Sequence, residues 1–156
     1  MTDSKRPLRS SNPSSGASAS MHAIQPRARV EARITVEHAE ATPYDERGNT
    51  ALVEIALRET FAGGIDGQST VRALQFKGAD GMARMVSMQR FCGKLDGREG
   101  TFVLQGSETI QAGRITATWF VLPGSATGEL SGLRGEGGFE GDFGKRSSGF
   151  LDYWFE

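Results

Sequence analysis

Apolar and polar residues alternate with a period of two along most of the chain. Over residues 28–38, Val30, Ala32, Ile34 and Val36 fall on one side, and Glu31, Arg33, Thr35 and Glu37 on the other. Successive side chains of an extended strand point to opposite faces, so this period predicts a half-buried strand. The alternation resumes over residues 50–61, where Val53, Ile55, Leu57 and Phe61 share a face that also carries Glu59. Ala and Leu in that run also fit a helix, but the β-branched residues and the Gly63–Gly64 pair that follows favour a strand. Further strands are expected over residues 67–77, 83–95, 101–108, 114–122 and 148–156. Pro43 and Gly48 mark a loop over residues 42–49, and Ala79–Asp80–Gly81 marks a hairpin turn. Asp96–Gly97 and Ala112–Gly113 mark tight turns.

About eight strands with turn signals roughly every 8–12 residues are the signature of a sandwich or barrel. A strand at the very end of a chain commonly pairs with an early one, which closes the sheet and removes its edges. The stretch over residues 121–139 decides between the two architectures. Pro123–Gly124 stops one strand, and Leu133 starts another that carries Gly135, Gly137 and Gly138. Glycine inside a strand marks a bend or a close approach by another backbone. The expected fold is therefore all-β, a closed antiparallel barrel of about eight strands. One helical turn over residues 127–131, capped by Thr127, is expected to plug one end with Leu130 and Leu133.

Composition narrows the class of protein. The chain has 156 residues and 21 glycines, enough length for one core and more glycine than average usage, which fits many turns and bends. A formal net charge of −1 argues against general nucleic-acid binding. Cys92 is the only cysteine, so no internal disulfide forms and a reducing, cytoplasmic setting is expected. No apolar run approaches the roughly 20 residues of a membrane span. Residues 1–23 are polar and rich in Ser, Pro and Arg; they are expected to be a disordered leader, with translation from Met21 as an alternative. The folded domain is expected over residues 24–156.

Several motifs carry a family resemblance. GREGTFVLQG (97–106), PGSATGELSGLRGEGGF (123–139), the closing LDYWFE (151–156) and the early TPYDE (42–46) resemble an uncharacterised bacterial family of small proteins of unknown function. The resemblance runs from about Ile34 onward. It implies a barrel like that of allene oxide cyclase, eight antiparallel strands around an interior cavity, and brings no established activity. It also implies a Glu-Arg pair where this chain has Gln89–Arg90, and an acidic residue after the terminal Asp-Tyr where this chain has Trp154. Glutamine neither gives nor takes a full proton at neutral pH.

Candidate chemistry is sparse. Glu59 lies on an apolar face with Leu57 and Phe61; inside a lumen, desolvation would raise its pKa as an acid or base requires, whereas after a bulge it would face solvent or pair with an arginine. Gln89 shares a face with Met85, Ser87 and Phe91, where it would bond either a ligand or a neighbouring strand's polar group. Phe61, Phe91 and Trp119 would line an apolar ligand wall, though Trp119, Phe102, Phe120, Tyr153 and Phe155 are most simply core. Cys92 reads as a small packing residue on the opposite face. His22 and His38 are too scattered to form a metal site with it, so neither metal nor cofactor is expected. Three functions fit: a barrel binding a small apolar or mixed ligand, a cofactor-independent cyclase or isomerase that works by holding its substrate in a reactive shape, and a homo-oligomer without a cavity.

Overall fold

The computed structural model describes residues 27–156. Nine strands follow one another: β1 (Ala28–Arg47), β2 (Thr50–Gly63), β3 (Ile65–Lys77), β4 (Ala83–Leu95), β5 (Arg98–Gln111), β6 (Arg114–Val121), β7 (Thr127–Gly128), β8 (Leu133–Asp142) and β9 (Arg146–Phe155). All pairings are antiparallel. Neighbours in sequence pair from β1 to β6, β6 pairs β8, β8 pairs β9, and β9 returns to β1 from Ala28↔Tyr153 to Thr35↔Arg146. Eight strands thus form a closed barrel through the pairing of the terminal strand with the first, and the two residues of β7 sit against β5. No α-helix occurs among the described residues, and so none is long and apolar enough to cross a membrane. The expected leader and the Met21 start lie outside the described residues.

Two local expectations are corrected. Residues 42–49 are not a loop, because β1 continues through Pro43 to Arg47 and turns only at Gly48–Asn49. Pro43 is tolerated because β9 has already left β1 at Thr35, so no partner needs the missing N–H; the register also shifts between Pro43 and Asp45. Residues 127–131 form no helical turn. Thr127 and Gly128 pair with Gly100 and Thr101, and two successive i→i+3 turns follow, Leu130 N–H to Thr127 C=O and Ser131 N–H to Gly128 C=O. The turns still deliver Leu130 and Leu133, both fully buried, into one end of the barrel.

Gly137 and Gly138 explain why β8 is so rich in glycine. A Cβ on Gly137 would strike the Phe150 backbone of β9, and one on Gly138 would strike the Ala117 backbone of β6. The wall can therefore curve tightly here only without side chains. Asp96 and Gly97 take φ of 46° and 81°, the two positive values that a type I′ hairpin needs to match strand twist.

Inward positions stack in three layers. One end holds Phe61, Phe91, Phe102, Trp119, Leu95, Leu104, Val121, Leu130, Leu133 and Leu151. The other end holds Val53, Ile55, Ala73, Ala83, Met85, Ile110 and Ile115. Between them, the inward positions of β2, β3, β4 and β5 turn polar with Glu59, Ser69, Ser87, Gln89 and Glu108.

Candidate functional site

The polar layer holds two hydrogen-bonded groups, Glu59–Gln89–Ser69 and Ser87–Glu108. The Gln89 side-chain amide donates to Glu59 Oε1 at 2.8 Å and to Ser69 Oγ at 2.6 Å. The Ser87 hydroxyl donates to Glu108 Oε1. Register explains how these residues meet. Glu59 lies opposite Ser69 across β2–β3, Gln89 is opposite the next inward residue of β3, Val71, and Ser87 lies opposite Gly106, one inward step from Glu108. Gly106 leaves room there for the pair, since a Cβ would displace the Glu108 carboxylate and the Ser87 hydroxyl.

Glu108 is 4% exposed, and its second carboxylate oxygen, Oε2, is the one buried side-chain polar atom without a hydrogen-bond partner among the described residues. Glu59, Ser87, Gln89 and Glu108 line a cavity of about 40 Å³ together with Met85, Ile115 and Phe139. Its roof is the β8–β9 hairpin. That hairpin is pinned by two backbone bonds, from Val36 N–H to Lys145 C=O and from Phe143 N–H to Gly113 C=O, each 2.9 Å.

Burial dominates the electrostatics. It pushes the Glu108 carboxyl up to about 7, against the opposing effect of the Ser87 hydrogen bond. It pushes Glu59 up to about 7 as well, opposed by the Gln89 bond and reinforced by the neighbouring charge of Glu108. Two neighbouring carboxyls with pKa near neutrality can exchange a proton with an occupant and can accept hydrogen bonds from it. Among the described residues no group of three or more His, Cys, Asp and Glu could hold a metal ion.

The sequence-derived candidates divide cleanly. Glu59 faces inward and bonds Gln89 rather than solvent or an arginine, and Gln89 satisfies both Glu59 and a neighbouring strand's hydroxyl. Phe61, Phe91 and Trp119 belong to the aromatic end instead of the cavity. Phe61 meets Phe91 edge-on at 5.4 Å and lies near-parallel to Trp119 at 6.3 Å; Phe91 also contacts Phe102 at 4.9 Å. Cys92 is exposed, not packed, because it points outward from β4 with Val86, Met88 and Arg90. Phe120 is exposed too, the outward neighbour of Trp119 on β6. Sequence reasoning missed Ser69 and Glu108. The parity of β5 carried the signal, since Phe102, Leu104, Gly106, Glu108 and Ile110 share one face.

Comparison with known proteins agrees with this architecture. A family model described as a protein of unknown function, DUF3224, matches residues 30–156. The chain belongs to the DUF3224 family. A crystal structure of a DUF3224 protein of unknown function from Shewanella oneidensis MR-1 is similar, with 28% identity and a TM-score of 0.68 over 84% of this chain and 99% of that one. No curated protein matches. DUF3224 membership thus supports the barrel and leaves its role to be argued from the polar layer of this chain.

Proposed function

We propose that the protein is a small-molecule-binding barrel whose site is the chamber walled by Glu59, Ser87, Gln89 and Glu108. The observation that carries this reading is the unpartnered Oε2 of Glu108, buried at the edge of a small, partly open chamber. A carboxylate oxygen withdrawn from water without a partner costs free energy, and an occupant that donates to it removes the cost. Size narrows the ligand. Drug-sized sites enclose about 300–1,000 Å³, whereas this chamber holds about 40 Å³, so the occupant is a small polar molecule or a single polar head group. Catalysis of a cyclase or isomerase kind would use the same two carboxyls as acid and base. Binding is preferred because it requires only the site itself.

The test is a titration with a panel of small hydrogen-bonding probes: formamide, urea, ammonium and methylammonium. The carboxyl carbons of Glu59 and Glu108 are followed by NMR in protein labelled with ¹³C-glutamate. At least one probe is expected to shift both signals saturably; a panel that leaves both signals unmoved overturns the reading.

A second reading, assembly of two copies through the outer wall, is favoured by a separate observation. Leu74 and Val86 lie side by side across β3 and β4 and are 51% and 58% exposed, with Met88 and Phe120 one row further along. This apolar patch is flanked by Glu54 next to Leu74 and by Arg72 next to Met88. A two-fold contact would set each glutamate against the other copy's arginine. Sedimentation is expected to give a dimer for the native chain and a monomer for Val86→Lys that still unfolds cooperatively.

A further inference from the structure

We infer that the chamber is an ammonium site: Glu59 and Glu108 take up ammonium, or the ammonium head of a primary amine, between them. This rests on the binding reading above and deepens it by naming the ligand class.

The donor and acceptor inventory sets the chemistry. Ser87 has one hydroxyl hydrogen, and Glu108 Oε1 receives it. Gln89 has two amide hydrogens, and Glu59 and Ser69 receive them. The side-chain donors of Ser87 and Gln89 are therefore spent, and Glu108 Oε2 still lacks one. A wall that offers acceptors and negative charge selects an occupant that brings hydrogens and positive charge. Ammonium brings four.

Volume and coordination separate ammonium from metal ions. A water molecule's share of liquid volume is about 30 Å³, so a chamber of about 40 Å³ admits one occupant of that size. Calcium requires six to eight oxygens and magnesium keeps several waters, for which this chamber has neither the ligands nor the room.

The charged groups around the site leave the role open to a ligand. Besides Glu59 on β2 and Glu108 on β5, the cavity borders Asp142, Lys145 and Arg146 of the roof hairpin, all exposed. Among the described residues neither Lys145 nor Arg146 forms an ion pair with Glu59 or Glu108; Asp142 pairs instead with Arg114.

Proton release gives the site a distinctive signature. With the chamber empty, both carboxyls titrate near 7. A cation between them holds them ionised, so uptake at pH 6.5 expels protons. The experiment uses the full chain at constant ionic strength, with ammonium, methylammonium, potassium and formamide as probes. Calorimetry in two buffers of different ionisation enthalpy accompanies the ¹³C-carboxyl titration. Ammonium is expected to bind at least tenfold more tightly than potassium and to release protons, and Glu108→Gln is expected to weaken it at least tenfold. Cys92→Ser, on the outer face of β4 and away from the chamber, is expected to keep ammonium binding within a few-fold. Potassium binding as tightly as ammonium, or formamide binding while ammonium does not, overturns the ammonium assignment and leaves the binding reading intact. Silence from all four probes and from urea overturns both.

Discussion

Replacing Glu108 by Gln is expected to stabilise the fold by about 3 kcal/mol at pH 8 and by only about 1.4 kcal/mol at pH 5.5. Burial pushes the carboxyl up to about 7 when folded, against 4.5 for an ordinary glutamate. Between those two values the folded chain holds the proton more tightly than the unfolded chain does. Unfolding free energy therefore falls as pH rises from about 4.5 and levels off above about 7. This is the reverse of a salt-bridged carboxylate, whose stabilisation appears as pH rises. At about 1.4 kcal/mol per pKa unit, the gap corresponds to about 3 kcal/mol that the native chain lacks at pH 8. Gln keeps the carbonyl oxygen that accepts from Ser87 and carries no charge to desolvate. It also removes the charge that helps hold Glu59 up, so the Glu59 carboxyl should titrate lower in the variant. Urea unfolding at pH 5.5 and pH 8 measures both effects. A native chain more stable at pH 8 than at pH 5.5 would contradict the burial of this carboxyl.

The barrel was legible because it depends on local signals that a sequence carries directly. Alternation over residues 28–38 and 50–61 reports which side chains face inward, and Asp96–Gly97 reports a turn whose φ values few other pairs accept. Parity alone placed Glu59 and Gln89 on the inner surface. What parity cannot carry is register between strands. The meeting of Gln89 with Ser69, twenty residues away, and with Glu59, thirty away, depends on how β2, β3 and β4 slide against one another. Glu108 was hidden for a second reason. Gly106 interrupts the apolar face of β5, so the residue after it read as the end of a strand and not as part of a wall. Pro43 misled in the same way, since a breaker in the middle of a strand is tolerated only where the neighbouring strand has ended, and sequence does not say where that is. The outward position of Phe120 follows from Trp119 pointing in, yet an aromatic pair reads as core on both sides until a partner surface is considered.

Trp119→Ala is expected to destabilise the barrel by about 3–5 kcal/mol, the largest loss anticipated for a single position. Trp119 is almost fully buried, stacks near Phe61 and meets Phe139 at 5.0 Å between ring centres. Its indole N–H donates to the Phe150 carbonyl of β9 at 2.9 Å, tying β6 to the strand beyond its immediate neighbour β8. Alanine would leave a cavity among Phe61, Ile34 and Leu151, and a carbonyl without its donor. Close packing around the aromatic end restricts how far that cavity can collapse. For a domain of this size, about 2–4 °C per kcal/mol translates the loss into a melting temperature lower by roughly 6–20 °C. The same variant separates two roles for this aromatic group. If Phe61, Phe91 and Trp119 walled a ligand site, trimming one would change binding while stability held. If they are the plug of the barrel, stability falls while the Glu59 and Glu108 carboxyl signals still respond to ammonium at temperatures where the variant is folded. The packing distances favour the plug, and scanning calorimetry beside the ¹³C titration decides it.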